Sequence, residues 1–135
     1  MIVLDSSVLV AIIKGEEDGA ALLSILDSEQ CAVGAPTLVE TRAWCALNLR
    51  GNASHWLEAF VEGESVSVVP FGREMADLAS QAFAKFGRGS GHRAKLNFGD
   101  CMAYATAAAL RAPLLFKGAD FARTDVMSHP ASIRT

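Results

Sequence analysis

Four short apolar runs, alternating with longer segments, most constrain how this 135-residue chain can fold. The runs are rich in β-branched and aliphatic side chains, and each is too short for a helix, which is typical of buried strands. Strands that alternate with helices predict a parallel sheet with helices on both faces. The predicted strands are residues 2–5, 31–35, 66–69 and 114–116.

The segments between these runs have apolar residues at helical spacing. We therefore predict a three-layer α/β/α fold with a short, mostly parallel sheet of four or five strands, forming one domain over residues 1–135. The predicted helices are 6–14, 18–28, 37–49, 54–61, 73–86 and 99–111. The apolar face of the third helix is predicted to comprise Leu38, Val39, Ala43, Ala46 and Leu47.

The composition is that of a globular protein, with 51% hydrophobic and 20% charged residues. The net charge of -3 provides no overall cationic field for binding nucleic acid or membranes. Cys31, Cys45 and Cys101 share no metal-ligand spacing, which favours buried free thiols in a reducing compartment. No stretch approaches the roughly 18–20 apolar residues that span a bilayer, so we expect no membrane association. These features together predict a cytoplasmic protein.

Four acidic residues lie where strands end or helices begin: Asp5, Glu40, Asp100 and Asp120. In a parallel sheet these positions share one edge, where ligands bind beyond the carboxyl ends of the strands. Each acid also has a purely structural explanation. Asp5 can cap the following helix, Glu40 completes a T-x-x-E capping box with Thr37, Asp100 suits a helix start, and Asp120 suits a turn.

Taken together, the four acids predict a metal site. Carboxylates that converge in one crevice repel each other unless a cation lies between them. Mg²⁺ and Mn²⁺ prefer oxygen ligands, and Mg²⁺ usually keeps several waters beside a few carboxylates. The absence of a His or Cys cluster argues against zinc.

Four segments carry a family resemblance: M-I-V-L-D-S-S, P-T-L-V-E, L-N-F-G-D-C-M-A-Y-A-T-A and L-L-F-K-G-A-D-F-A-R-T-D. They resemble the PIN-domain family, in particular the VapC-type ribonuclease toxins of type II toxin–antitoxin systems, over essentially the whole chain. L-N-F-G-D-C is the most specific of them. By this resemblance, Asp5 and Asp100 match the Mg²⁺ ligands and Glu40 the acid on the third helix.

The fourth acidic position departs from the family pattern. The family often carries Asp or Asn directly after K-G, where this chain has Ala119. Asp120 is the adjacent acid and our choice for the site, and Asp125 is the alternative. This departure puts the fourth ligand in question but leaves the predicted metal site in place.

The resemblance implies a Mg²⁺-dependent endoribonuclease, with Mn²⁺ as a possible substitute, that hydrolyses RNA in line through one or two ions. It also implies a homodimer and a VapB-like antitoxin whose C-terminal segment occupies the acidic crevice. An Arg from such a partner would pair with the carboxylates in place of the ion. These partners follow from the resemblance alone.

A basic segment is the candidate RNA contact, because cations provide most of the non-specific affinity for nucleic acid. Arg88, Arg93 and Lys95 lie in it beside several glycines, and a solvated loop is the plain alternative. Lys117 and Arg123 flank the fourth acid and are further candidates for phosphate contact.

Two other functions compete with a metal-dependent nuclease. An aspartyl-phosphate phosphotransferase of the haloacid dehalogenase type needs a second Asp two residues after the first, and this chain has Ser7 there. A catalytically degenerate PIN domain that binds RNA or protein without cutting is the non-enzymatic alternative. The Ala119 departure favours it, whereas the retained Asp5, Glu40 and Asp100 argue against it.

Overall fold

The computed structural model describes residues 1–135 and has the predicted α/β alternation. The strands are β1 (Ile2–Leu4), β2 (Cys31–Gly34), β3 (Val66–Val69) and β4 (Leu114–Leu115). The helices are α1 (Ser6–Lys14), α2 (Gly19–Ser28), α3 (Ala35–Asn48), α4 (His55–Glu62), α5 (Arg73–Phe86) and α6 (Phe98–Leu110), followed by a 3-10 turn at Phe121–Arg123.

All four strands are parallel and are arranged in the order β3-β2-β1-β4. The chain builds outward from β1 through β2 to β3, then crosses to the other side of β1 to form β4. The strand order therefore reverses at β1, and such a switch point opens a crevice at the carboxyl ends of the strands. Asp5 is the first residue after β1, so it lies at this crevice.

The alternation of side chains along the strands creates two separate cores. Val3, Ala32 and Leu114 face one core, which is covered by α5 and α6. Ile2 and Leu4 face the other, with residues from α1, α2, α3 and α4. The predicted three-layer α/β/α fold with a parallel four-stranded sheet is therefore confirmed.

The start of α3 differs from the prediction. The helix begins at Ala35 with Gly34 as its N-cap, and Gly34 has no side chain that could form a capping bond. Pro36 lies within the first turn, where its missing N–H costs nothing and its fixed φ suits a helix. The predicted T-x-x-E capping box is therefore wrong: Thr37 is inside the helix, and Glu40 lies in the second turn.

The buried face of α3 was also predicted incorrectly. It consists of Thr37, Leu38, Thr41 and Cys45, whereas Val39 is 65% exposed and Leu47 is 86% exposed. Ala43 and Ala46 are exposed as well. Thr41 can be buried because its hydroxyl donates to the carbonyl of Thr37 at 2.8 Å. A threonine whose hydroxyl is hydrogen-bonded can be buried in the core like an apolar residue. The spacing of the apolar residues alone therefore predicted the wrong buried face of α3.

The C-terminal segment after the 3-10 turn runs alongside β4. Isolated parallel bridges pair Leu114 with Ser128 and Lys117 with Ile133. His129 donates its backbone N–H to Leu114 and its ring nitrogen lies 2.9 Å from Glu29, so the segment is tied to α2 as well. None of the helices combines the length and apolar character needed to cross a membrane.

Candidate functional site

Asp5 is held by its own helix cap. It is the N-cap of α1, and its Oδ2 accepts the backbone N–H of Ser7 at 3.0 Å. The residue is buried, yet its Oδ1 has no hydrogen-bond partner in the protein. The structural explanation therefore accounts for one carboxylate oxygen, and the second remains to bind a ligand.

Asp100 likewise uses one carboxylate oxygen for a capping bond, at the start of α6. Asn97 is the N-cap, and a capping box joins the two residues. Asp100 donates its N–H to Asn97 Oδ1 at 2.8 Å, and its Oδ2 accepts the N–H of Asn97 at 2.9 Å. The box fixes the position of the Asp100 carboxylate at a helix N-terminus, where the helix dipole favours negative charge.

Glu40 reaches the same place from α3. Its carboxylate packs on the backbone of Gly99, the residue before Asp100: a Cβ built on Gly99 would lie 2.7 Å from Glu40 Cδ. Burial raises the pKa of Glu40, and the charge of Asp5 raises it further, while the Ser6 side chain partly offsets the rise. The structure thus brings Glu40 together with both aspartates.

Asp120 and Asp125 are placed differently. Asp120 precedes the 3-10 turn at an exposed position, without a capping bond, and its charge contributes to raising the pKa of Asp100. Asp125 accepts a hydrogen bond from the Tyr104 hydroxyl at 2.5 Å and lies 3.9 Å from Lys85 Nζ. The carboxylate of Asp125 is therefore paired with Tyr104 and Lys85, which leaves Asp120 as the candidate for the fourth acid of the cleft.

Burial and like charge strongly perturb the protonation of this cluster. Desolvation is the largest cause that raises the pKa of Asp100 to about 7, followed among the raising causes by the charges of Asp5, Asp120 and Glu40. Desolvation also raises the pKa of Asp5. A cleft in which titratable groups perturb one another in this way is a candidate functional site on physical grounds.

The donor set fits a hard divalent cation that retains water ligands. No group of three His, Cys, Asp or Glu side chains is arranged to hold a metal ion in this structure. Asp5 and Asp100 instead offer two carboxylates, one of them with a buried oxygen that lacks a partner. Mg²⁺ commonly binds through one or two carboxylates, with waters completing the octahedron.

The basic segment between α5 and α6 is an ordered loop. Its chain folds back on itself, since Arg88 donates its N–H to Leu96 and Leu96 donates its own to Phe86. Ala94 and Leu96 are buried anchors of the loop. The predicted phosphate contacts, which are exposed on this loop, are Arg88, Arg93 and Lys95.

The two further candidates for phosphate contact differ in their environments. The ammonium group of Lys117 pairs with Glu16 and with Asp18, 3.1 Å away, and these partners raise its pKa. Lys117 is thus bound within the protein, and its backbone N–H donates to Ser7 Oγ at 3.0 Å. Arg123 is exposed and donates to the carbonyl of Arg93 at 3.3 Å, which places it beside the basic loop.

Gly99 is a residue of the site that was not predicted from the sequence. Its only signal was its place within L-N-F-G-D-C, and only the folded chain shows that Glu40 occupies the volume of a side chain at this position.

These features define an α/β domain with an acidic cleft at its switch point, and comparison with known proteins gives the family. A model of the PIN domain matches residues 2–127. The chain belongs to the PIN-domain family. Its relatives include ribonuclease VapC28 of Mycobacterium tuberculosis, 39% identical over 129 residues, 92% of this chain and 94% of that protein. Ribonuclease VapC42 of the same organism is 36% identical over 125 residues, 92% and 95% of the two chains.

Solved structures agree with this fold. The crystal structure of Mycobacterium tuberculosis VapC20, a sarcin-ricin loop cleaving toxin, matches with a TM-score of 0.74 at 18% identity, over 96% of this chain and 98% of the other. A toxin–antitoxin complex from Klebsiella pneumoniae matches with a TM-score of 0.70 at 17% identity, over 98% and 100%. At these identities the similarity shows the fold alone.

Proposed function

We propose that this protein is a Mg²⁺-dependent endoribonuclease of the VapC type, the toxin of a toxin–antitoxin pair. The observation that carries the proposal is the shared geometry of Asp5 and Asp100. Each uses one carboxylate oxygen to cap its own helix and directs its charge into a common cleft with Glu40. Membership of the PIN-domain family and the names of the relatives support it.

Asp5 and Asp100 are the residues that would hold the ion, Mg²⁺ or Mn²⁺. When bound, such an ion acidifies a coordinated water and polarises a phosphoryl oxygen. Glu40, which packs against Gly99 beside this pair, would accept a proton from the water that attacks the phosphate. Asp120 lies at the exposed rim and adds negative charge to the same cleft.

The RNA backbone would be bound by the ordered loop next to this cleft. Arg88, Arg93 and Lys95 are exposed there, and the loop leads through Asn97 directly into the capping box of Asp100. Cationic side chains on a loop that leads into the acidic cleft can bind the phosphates next to the phosphate that is cleaved. Arg123 lies beside the same loop, where it donates to the carbonyl of Arg93, and extends this basic surface.

The proposed antitoxin partner is supported by a solved structure with the same fold. The Klebsiella pneumoniae structure is a toxin–antitoxin complex, and this supports a VapB-like antitoxin for this chain. A homodimer and a cytoplasmic location belong to the same proposal. An antitoxin that placed an Arg beside Asp5 and Asp100 would pair with the carboxylates that otherwise hold the ion.

The proposal is tested with purified protein and cellular RNA, in Mg²⁺, in Mn²⁺ and in EDTA. We expect cleavage with either ion and none in EDTA, and Asp100→Asn should reduce cleavage by at least about 100-fold, as expected for a residue that holds the ion. Arg73→Ala is a matched control, because Arg73 is exposed and its only ion pair is with Asp77 on its own helix. Cleavage that persisted in EDTA or in Asp100→Asn would refute the mechanism.

A degenerate PIN domain that binds RNA without cutting is the second candidate. The observation in its favour is that no three acidic side chains are arranged to hold a metal, together with Ala119 at the position where the family often has an acid. It predicts retention of RNA on the protein with no cleavage under any of the ion conditions. The same assay therefore separates the two functions.

A further inference from the structure

Two buried side-chain oxygens have no hydrogen-bond partner in the protein: Oδ1 of Asp5 and Oγ1 of Thr37. They are the only buried side-chain nitrogen or oxygen atoms in that condition. Native proteins pair nearly all such groups, and an exception indicates an ordered water, an ion or a functional role. Asp5 belongs to the acidic cleft, and Thr37 lies one helical turn before Glu40, which belongs to the same cleft.

Thr37 lies in the first turn of α3, the helix that starts beside Asp5. β1 and β2 are adjacent and parallel with Val3 opposite Ala32, so the same register continued by two residues places Asp5 opposite Gly34. Thr37 follows Gly34 by three residues and is 1% exposed. One helical turn later comes Glu40, whose pKa is affected by the charge of Asp5. Thr37 is therefore a buried residue of the first turn of α3, between Gly34 opposite Asp5 and Glu40 of the acidic cleft.

The hydroxyl of Thr37 does not donate to a helix carbonyl, unlike the hydroxyls of the two other buried threonines. Thr41 donates its hydroxyl to the carbonyl of Thr37, and Thr106 donates to that of Met102, in each case one turn back along the helix. Thr37 is in the first turn of α3, so the residue four positions earlier lies in β2 and offers no such carbonyl. Its hydroxyl also does not cap the helix.

The two unpaired oxygens are chemically complementary. A hydroxyl can donate one proton, and an ionised carboxylate can only accept. We propose that Thr37 is a positioning residue of the acidic cleft: its hydroxyl and Asp5 Oδ1 hold one water molecule between them, which fixes the orientation of the Asp5 carboxylate and uses one of the two lone pairs of Oδ1, so that the other can bind an ion. The water accepts from Thr37 and donates to Asp5. The effect of this on cleavage rests on the proposed nuclease function.

Thr37→Val tests this, because it removes the hydroxyl while keeping the shape of the side chain. Thr37→Ser keeps the hydroxyl, and Thr41→Val is a matched control that removes a buried hydroxyl bonded to the backbone. The measurements are kcat and KM on an RNA substrate in Mg²⁺ and, separately, the affinity of RNA-free protein for Mn²⁺ by electron paramagnetic resonance.

We expect Thr37→Val to lower kcat by about 10-fold with KM unchanged and to weaken Mn²⁺ binding by a similar factor, as for other residues that orient a metal ligand. Thr37→Ser should restore both, and Thr41→Val should change neither. If Thr37→Val keeps the wild-type kcat and Mn²⁺ affinity, the hydroxyl is merely unpaired and the inference is wrong.

Two further outcomes are also decisive. If Thr37→Val does not fold, Thr37→Ala lacks the same hydroxyl and is compared with Thr37→Ser in its place. If the wild type binds Mn²⁺ but cleaves no RNA, the proposed function fails while the Mn²⁺ measurements still test Thr37. If the wild type neither binds Mn²⁺ nor cleaves, both proposals are overturned.

Discussion

Glu40 occupies the space that a side chain at Gly99 would need. A Cβ at position 99 would collide with the carboxylate of Glu40 and lie 2.7 Å from its Cδ. Glu40 comes from α3, which follows β2, and Gly99 comes from α6, which follows the basic loop, so this contact joins two helices that are far apart in the sequence. It places the Glu40 carboxylate beside Gly99, the residue that precedes Asp100.

Gly99→Ala should therefore reduce cleavage without unfolding the protein. Alanine suits a helix interior better than glycine by about 1 kcal/mol, and Gly99 lies in the first turn of α6, so we expect a thermal stability close to that of the wild type. The new methyl group must push the Glu40 carboxylate aside, and we expect kcat to fall by roughly 10–100-fold, as a misplaced catalytic group costs about that much. Gly72→Ala is a matched control, because a Cβ there meets open space. Unchanged kcat in Gly99→Ala would show that the position of Glu40 does not matter.

The fourth acid can be assigned by a pair of substitutions. Asp120→Asn removes a charge that raises the pKa of Asp100, whereas Asp125→Asn weakens the hydrogen bond to the Tyr104 hydroxyl. We expect Asp120→Asn to lower kcat by about 10-fold while stability is unchanged, in keeping with a charge that assists a metal site from its rim. Asp125→Asn should leave kcat intact and cost roughly 1 kcal/mol of unfolding free energy. The opposite pattern, measured by steady-state cleavage and urea denaturation, would assign the site to Asp125.

Most of the fold could be predicted because its signals are local. Short apolar runs between amphipathic segments fixed the order of strands and helices, and Gly15 and Gly51 ended helices where a positive φ was needed. The errors fell on α3, where the first turn contains a proline and the buried face contains two threonines. Which side of a helix is buried depends on what packs against it, and that information is not local.

The acidic residues of the candidate site could be predicted from the sequence, but the contacts between them and their neighbours could not. Asp5 and Asp100 were identified from their places beside strand and helix ends, and the structure brings them together with Glu40. The contact between Glu40 and Gly99 and the unpaired hydroxyl of Thr37 were not predicted. Each depends on the relative placement of segments far apart in the sequence, which no spacing of residues reveals.

The raised pKa of Asp100 makes the stability of the metal-free protein depend on pH. In the folded state this carboxyl holds its proton up to a pKa of about 7, above the ordinary value of 3.8. The stabilisation from this group is therefore complete below pH 3.8 and is lost as the pH rises through about 7.

Asp100→Asn should remove this dependence. Between pH 5 and pH 8 we expect the wild type in EDTA to lose on the order of 1–2 kcal/mol relative to the variant, a value discounted because the group is partly exposed. Urea denaturation at several pH values measures the difference. If the two proteins kept a constant difference over this range, Asp100 would titrate as an ordinary carboxyl.

The basic loop should affect RNA binding without affecting the chemical step. Arg93 is exposed, its carbonyl accepts from Arg123, and the loop around it is fixed by the buried Ala94 and Leu96. Arg93→Ala should therefore leave the fold intact, raise KM several-fold and keep kcat within about two-fold, because a phosphate contact contributes equally to the ground and transition states. The slope of log affinity against log salt should fall by about 1, the value for one lost phosphate contact. Arg73→Ala, on the exposed face of α5, should change neither the slope nor KM. An Arg93→Ala variant with normal KM and an unchanged salt slope would mean that RNA does not contact the loop at this residue.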